Sequence, residues 1–288
     1  MRWRGFAIIL FLFVVAVGRT AGAETFRLGI LHGNPEIFDY EISVMRLALK
    51  YAPGEHELEI VPMPNLTQKR VFMLMEQGQS AIDVFFSGYA KWREDYFLQV
   101  DIPITRGLLG YRVFVIRRED RERLASIRSL DDFRRSVTIG SGIGWLDTDI
   151  FRAAGFTVAT GQYESLWKML DRRRFDAFNR GIQEVFVEMK QRGGQYPDLM
   201  VDDNLMAVYR FDHFFYVKKE DQRRHDLIEQ GLKTAYENGT FMKNFYNHPM
   251  IKAALGKGHP QTRRTFHLPN PFLSEQVKAI PEKYWQQF

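Results

Sequence analysis

The sequence predicts an α/β protein of two lobes, one inserted into the other, and three observations carry that prediction. Residues 26–86 alternate short apolar runs with stretches of helical spacing, β-α-β-α-β. A second complete unit of the same kind occupies roughly 113–208. Two long extended segments, Gly107–Arg117 (GLLGYRVFVIR) and Ala207–Lys218 (AVYRFDHFFYVK), flank that second unit. Alternation of this kind implies mostly parallel strands covered by helices. A chain entering a unit by one extended segment and leaving by another implies an inserted lobe with the two crossovers as its hinge. The expected boundaries are a leader over 1–23, a first lobe over 24–110, a second over 111–211, and completion of the first lobe plus a tail over 212–288.

The leader is read from Arg2 and Arg4, the apolar run Phe6–Val17 and the small residues Ala21-Gly22-Ala23. A basic start, a short apolar core and an A-x-A site describe a secretory signal peptide, cleaved after Ala23. The run is shorter than the roughly 20 residues a membrane span needs. The sequence has no cysteine. A bacterial lipid anchor requires one, so the expected product is a released protein of the periplasm, not a lipoprotein. Removing 1–23 takes away Arg2, Arg4 and Arg19 and lowers the formal charge from +5 to +2. A nearly balanced chain gives no electrostatic case for nucleic acid.

The elements follow in order. Phe26–Leu31 is a strand, followed by the turn Gly33-Asn34-Pro35. Glu36–Tyr51 is a helix with Ile42, Met45 and Leu49 on one stripe. Leu58–Val61 is a strand, Gln68–Gln77 a helix closed by Gly78, and Ile82–Phe86 a strand. In the second unit Leu130–Arg134, Asp147–Ala154, Glu164–Arg173 and Ile182–Gln191 are helical. Val137–Ile139, Thr157–Ala159 and Phe175–Phe178 are extended. His225–Asn238 is a helix ended by Gly239, and the proline-punctuated tail from Leu268 wraps the surface. The arginines between 117 and 135 read as a solvated face of the second lobe, with contact to a membrane partner as the alternative.

The stretch Gly140-Ser141-Gly142-Ile143-Gly144-Trp145 has three readings. A dinucleotide fingerprint fails because Trp145 stands where a close helix–strand approach is needed. A P-loop fails for want of a lysine. A tight turn without a ligand and an anion site at a helix start both remain. Among the histidines no metal-ligand spacing occurs, and there is no cysteine to complete one. G-x-S-x-G, S-x-x-K and H-E-x-x-H are all absent. No metal, cofactor or catalytic group is therefore expected.

These residues carry a resemblance. Ser141-Gly142-Ile143-Gly144, Leu170-Asp171-Arg172-Arg173-Arg174-Phe175-Asp176-Ala177, and Trp92-Arg93-Glu94 followed by Val100-Asp101-Ile102-Pro103 resemble, in order and spacing, the family 3 extracellular solute-binding proteins. The resemblance covers 24–250 and implies the type II periplasmic-binding-protein clamshell. It also implies lobe closure on a ligand and delivery to an ABC permease or a membrane sensor by a monomer. Arg93 would then fork onto a ligand carboxylate, as a planar guanidinium can. Read without the family, Arg93 could instead pair with Glu94 or Asp95 at the surface.

The chain departs from the amino-acid-binding pattern after Asp176-Ala177. Phe178-Asn179-Arg180-Gly181 holds no acid where the family pairs the ligand's ammonium, and Arg180 places a positive charge there. Glu184, one turn further on, is a possible substitute. The threonine near the first-lobe arginine is also missing, with Ser87-Gly88 in that region. The sequence therefore points to a small anionic, carboxylate-like solute, with an amino-acid-like one left open. The expected ligand-binding residues are Arg93, Ser141, Gly142, Gly144, Trp145, Asn179, Arg180 and Ser87, with Glu36 and Tyr40 after the first strand. Trp145 could equally be core packing. The rival reading is an enzyme on the same fold, resembling cyclohexadienyl dehydratase, with Glu36, Glu184 or His32 as acid or base. A third is a ligand-free sensory adaptor.

Overall fold

The computed structural model describes residues 24–31 and 35–288. The expected leader, His32 and most of the turn at 33–35 lie outside the described residues. The first lobe is built from β1 (Glu24–Leu31), a 3-10 turn (Pro35–Phe38), α1 (Asp39–Tyr51), β2 (His56–Met63), α2 (Gln68–Glu76), β3 (Val84–Gly88), a 3-10 turn (Lys91–Asp95) and β4 (Phe97–Gln99). The second lobe runs through β5 (Tyr111–Arg117), α3 (Arg121–Ala125), α4 (Leu130–Ser136), β6 (Ile139–Gly142), α5 (Leu146–Ala153) and β7 (Val158–Gly161). It continues through α6 (Tyr163–Asp171), β8 (Ala177–Gly181), α7 (Val185–Arg192), β9 (Leu199–Val201) and β10 (Leu205–Val208). The chain then returns through β11 (His213–Lys218), α8 (Gln222–Glu237), α9 (Thr240–Asn247), α10 (Pro249–Gly258), β12 (Arg264–His267) and α11 (Glu275–Lys278).

Two separate sheets result, as the alternation predicts. The first has the order β2-β1-β3-β11-β4 and the second β12-β10-β5-β8-β6-β7, with β9 also on β5. Strands joined by helical crossovers pair in parallel, β1 with β2 and β3, and β6 with β7 and β8. The crossover strands behave differently. β11 runs antiparallel to β3 and β4, and β5 antiparallel to β8, β9 and β10. Each sheet is therefore mixed at the strand through which the chain changes lobes.

The segment Ala207–Lys218, read from sequence as one extended run, is two strands in two sheets. β10 belongs to the second sheet and β11 to the first, with Tyr209–Asp212 between them. The fully buried Asp212 fixes this passage. Its carboxylate accepts from the N–H of Thr105 (3.0 Å), the hydroxyl of Thr105 (2.6 Å) and the N–H of Gly107 (2.5 Å). One side chain thus braces both crossovers, and buried donors that would otherwise be costly are satisfied.

One boundary differs from expectation. Arg264–His267 does not belong with the first lobe: β12 pairs in parallel with β10, Leu205 beside Arg264 through Val208 beside His267. Phe266 packs there at 5.4 Å from Phe133 in the second lobe's core, joining Phe114, Phe151 and Phe156. The arginine-rich stretch also holds an exception to the solvated reading. Arg117 is buried and donates to the carbonyls of Leu170 (2.9 Å) and Phe175 (2.8 Å), with Asp120 at 2.5 Å.

Candidate ligand-binding cleft

A cleft of about 900 Å³ lies between the lobes. The hinge residues Leu109, Arg112, Phe211 and His213 line it, together with surfaces from both sheets. Its two walls carry opposite charge. On the first lobe Lys69, Lys91 and Arg93 face it against a single Glu76. On the second, Asp147, Asp149, Glu184 and Glu188 face it, against Arg112 and Arg180.

Arg93 sits in the 3-10 turn after β3 and is 4% exposed. It pairs with neither Glu94 nor Asp95. Glu94 accepts instead from the hydroxyls of Tyr89 (2.9 Å) and Ser274. The Arg93 guanidinium donates to the Gly88 carbonyl and lies 4.2 Å from the Phe72 ring centre and 5.4 Å from that of Tyr216. No carboxylate among the described residues forms an ion pair with it. Burial lowers its pKa to about 10, so it remains a cation at neutral pH in a setting that disfavours charge.

The glycine turn uses part of its amide set within the fold. Gly140 and Gly142 are inside β6, beside Ala159 and Gly161 of β7. Gly142 is glycine because the Trp145 indole lies against its α-carbon, where any Cβ would collide with the ring. The N–H groups of Ile143 and Trp145 are spent on the carbonyls of Gly161 (3.0 Å) and Gly142 (3.1 Å). Ser141 is fully buried and accepts from Thr148 (2.9 Å), away from the cleft lining. Gly142, Gly144 and Trp145 do line the cleft, with Gly144 in the left-handed region at φ 78°. The first turn of α5 already holds Asp147, which pairs with Arg112 at 3.1 Å and accepts from the Tyr209 hydroxyl. A carboxylate in the first turn of α5 suits the positive end of that helix.

Arg180 also corrects the sequence reading. Its guanidinium donates to Glu188 at 2.7 and 2.6 Å and lies 3.0 Å from Glu184. Burial opposes its charge, but the two glutamates raise its pKa above the ordinary value. The rings of Trp145, Tyr163 and Phe178 surround it at 4.9, 5.4 and 5.3 Å. One cation between two carboxylates leaves this wall negative, so Arg180 does not repel an ammonium. Glu184 caps α7 and accepts from the Gly181 N–H at 3.0 Å. A Cβ on Gly181 would stand 2.7 Å from the Gln183 amide oxygen and 3.0 Å from that same Glu184 oxygen, so these two side chains together fill the space a side chain at 181 would enter. Burial favours its neutral form, yet Arg180, Arg112 and His213 together hold its pKa below the usual carboxylate range.

The remaining expected residues are elsewhere. Tyr40 is in the first lobe's core, donating to the Ile104 carbonyl (3.1 Å) and packed on Phe245 and His248, because α1 turns that face inward. Glu36 is exposed and outside the cleft lining. Ser87 is buried and donates to Gln68 (2.9 Å), which itself lines the cleft. Asn179 is fully buried behind the wall, where it accepts from Arg112 (2.8 Å) and donates to the Gly140 carbonyl (2.7 Å). It positions Arg112 and does not face a ligand.

Sequence reasoning missed Asp147, Glu188, Tyr163 and His213, all lining the cleft. Asp147 was detectable as an acid in the first turn after the glycines. Glu188 was detectable as the acid one turn beyond Glu184. Tyr163 and His213 carry no local signal.

No family model and no curated protein matches the chain. Solved structures do match. An ancestral arginine-binding protein is 16% identical over 77% of this chain and 96% of its own, with a TM-score of 0.55. An amino acid ABC transporter substrate-binding protein from Streptococcus pneumoniae, bound to L-arginine, is 15% identical over 80% of this chain and 95% of its own, TM-score 0.55. An ancestral amino-acid-binding protein, a precursor of cyclohexadienyl dehydratase, is 16% identical over 77% of this chain and 93% of its own, TM-score 0.55. At these identities the likeness is one of fold. Two α/β lobes, two crossovers and a cleft between them give this chain the fold of the family 3 solute-binding proteins.

Proposed function

We propose that this protein is a solute-binding protein that holds a small zwitterionic carboxylate, of amino-acid type, between its lobes. The carrying observation is the pairing of a buried Arg93, without a carboxylate partner among the described residues, with an opposite wall that is net acidic around Arg180. A guanidinium in a low-dielectric setting favours a ligand carboxylate that neutralises it. Glu184, kept ionised by its neighbours, offers the matching place for an ammonium. The reading turns the small anionic solute expected from sequence, for which an amino-acid-like form stayed open, toward a zwitterion, because the anionic preference rested on an unpaired Arg180. The solved structures with this fold described above bind amino acids, which supports the same ligand class. Closure of the lobes would bury the ligand and create the surface that a membrane permease or sensor recognises.

The reading is tested by a thermal-shift screen of the purified protein against amino acids, organic acids and inorganic anions. Amino acids are expected to raise the melting temperature, and organic acids lacking an amine to raise it less. A response confined to inorganic anions, or turnover of a carboxylate in the same tubes, contradicts it.

A further inference from the structure

The charged groups account for only part of the cleft. A volume of about 900 Å³ is near the upper end for small-molecule sites, roughly 300–1,000 Å³, whereas an amino-acid head needs a small share of it. The rest is apolar. The strongly exposed large hydrophobic residues among those described are Trp92 (41%), Tyr96 (47%), Ile143 (55%), Tyr246 and Phe288, and the first three all line this cleft. Exposed rings gathered at one concave place indicate a binding surface.

The C-terminal tail supplies the rest of that surface. It leaves β12 in the second sheet, where the Leu268 N–H donates to the Val208 carbonyl at 2.8 Å. It crosses the hinge with the Asn270 amide on the Arg210 carbonyl at 3.0 Å. It then docks on the first lobe. The Ser274 N–H donates to the Tyr89 hydroxyl at 3.1 Å, its own hydroxyl to Glu94, and Gln276 to Asp101 at 2.9 Å. Between these anchors Pro271, Phe272 and Leu273 line the cleft, and Phe272 and Leu273 are half-buried. The tail is thus a third strand of chain between the lobes and a fixed wall of the cleft.

We infer that Trp92, Tyr96, Phe272 and Leu273 form an apolar subsite, built partly by the tail, that takes a bulky aromatic or branched aliphatic group on the bound solute. The inference rests on the amino-acid-type reading for the charged head and adds the nature of its body. The subsite is continuous with the charged cleft, so its occupant is the same small molecule.

The test compares the full-length protein with the Phe272→Ala/Leu273→Ala double variant, which leaves Asn270, Ser274 and Gln276 and their anchors in place. Equal melting temperatures without ligand establish an intact fold. The probes are 8-anilinonaphthalene-1-sulfonate by fluorescence, and L-phenylalanine and glycine by calorimetry. Removing two half-buried apolar side chains predicts about tenfold or greater loss of affinity for the dye and for phenylalanine. Glycine, which does not reach the subsite, is expected to bind both proteins alike. Equal dye and phenylalanine affinities in the two proteins overturn the subsite while leaving the charged-head reading intact. Loss of dye binding in the variant, with no amino acid bound by either protein, supports the subsite and removes the head-group reading. A dimer of the full-length protein that the variant cannot form assigns the patch to a second copy and overturns the inference.

Discussion

Arg93→Met is expected to weaken ligand binding by about one to two orders of magnitude without weakening the fold. Burial lowers the guanidinium pKa from 12.5 to about 10. That corresponds to about 3 kcal/mol of unfavourable free energy carried by the charged form. Two contacts offset it: the hydrogen bond to the Gly88 carbonyl, about 1 kcal/mol, and the stacking on Phe72 at 4.2 Å, about 1 kcal/mol. Methionine removes the charge and both contacts while retaining most of the apolar packing. The net change is near zero to about 1 kcal/mol of added stability, a rise of no more than about 4 °C for a chain of this size. The lost charge-assisted bond to a ligand carboxylate, about 1.5–3 kcal/mol, lowers affinity roughly 10- to 150-fold. Thermal melts without ligand and calorimetry with the best ligand from the screen measure the two effects. A loss of more than about 2 kcal/mol of stability would show that the guanidinium serves the fold, and unchanged affinity would remove it from the site.

Three further outcomes follow from the same geometry. Gly142→Ala pushes the Trp145 ring off its seat beside Phe178 and Arg180 and is expected to cost about 1–3 kcal/mol, with a shifted tryptophan emission; a melt and spectrum like wild type would refute the close approach. Glu184→Gln removes the proposed ammonium contact, so affinity for an amino acid should fall about tenfold or more, while a carboxylate lacking the amine binds as before. His213 is buried against Glu41, with Nδ1 at 3.3 Å from its carboxylate, and Asp212 and Glu184 also act on it. Burial lowers its pKa, but those three carboxylates, Glu41 foremost, hold it above the ordinary imidazole value. A raised folded-state pKa gives stability that is fully present below about 6.5 and lost as the pH rises through the raised value. The melting temperature of His213→Gln should therefore depend less on pH between 6 and 9 than that of wild type; parallel curves would contradict the role.

The sequence made the fold legible where local period and topology agree. β1 to β3 and their helices were readable because buried positions such as Ile42, Met45 and Leu49 recur at helical spacing. The inserted lobe was readable because its two crossovers are long and apolar. β12 was not, since four residues at a sheet edge carry no period, and their placement depends on Phe266 reaching the far lobe's core. The division of Ala207–Lys218 was hidden because both strands are apolar, and only Asp212 marks the passage between sheets. For the site, Arg93 was recognisable from its neighbours, but the neutralisation of Arg180 was not. Glu184 and Glu188 become its partners only when α7 folds back over β8. Tyr40 read as a cleft residue from its place after β1, and the phase of α1 turned it inward. The apolar tail wall had no signal beyond its prolines.

The most direct measurement takes the amino acid with the largest thermal shift and titrates it, its carboxamide and its N-acetyl derivative into the protein by calorimetry. Arg93 and Glu184 acting on the two ends of one molecule require that both modified forms bind at least about tenfold more weakly than the parent. Equal binding of the carboxamide would take Arg93 out of ligand recognition, and equal binding of the N-acetyl form would take out Glu184.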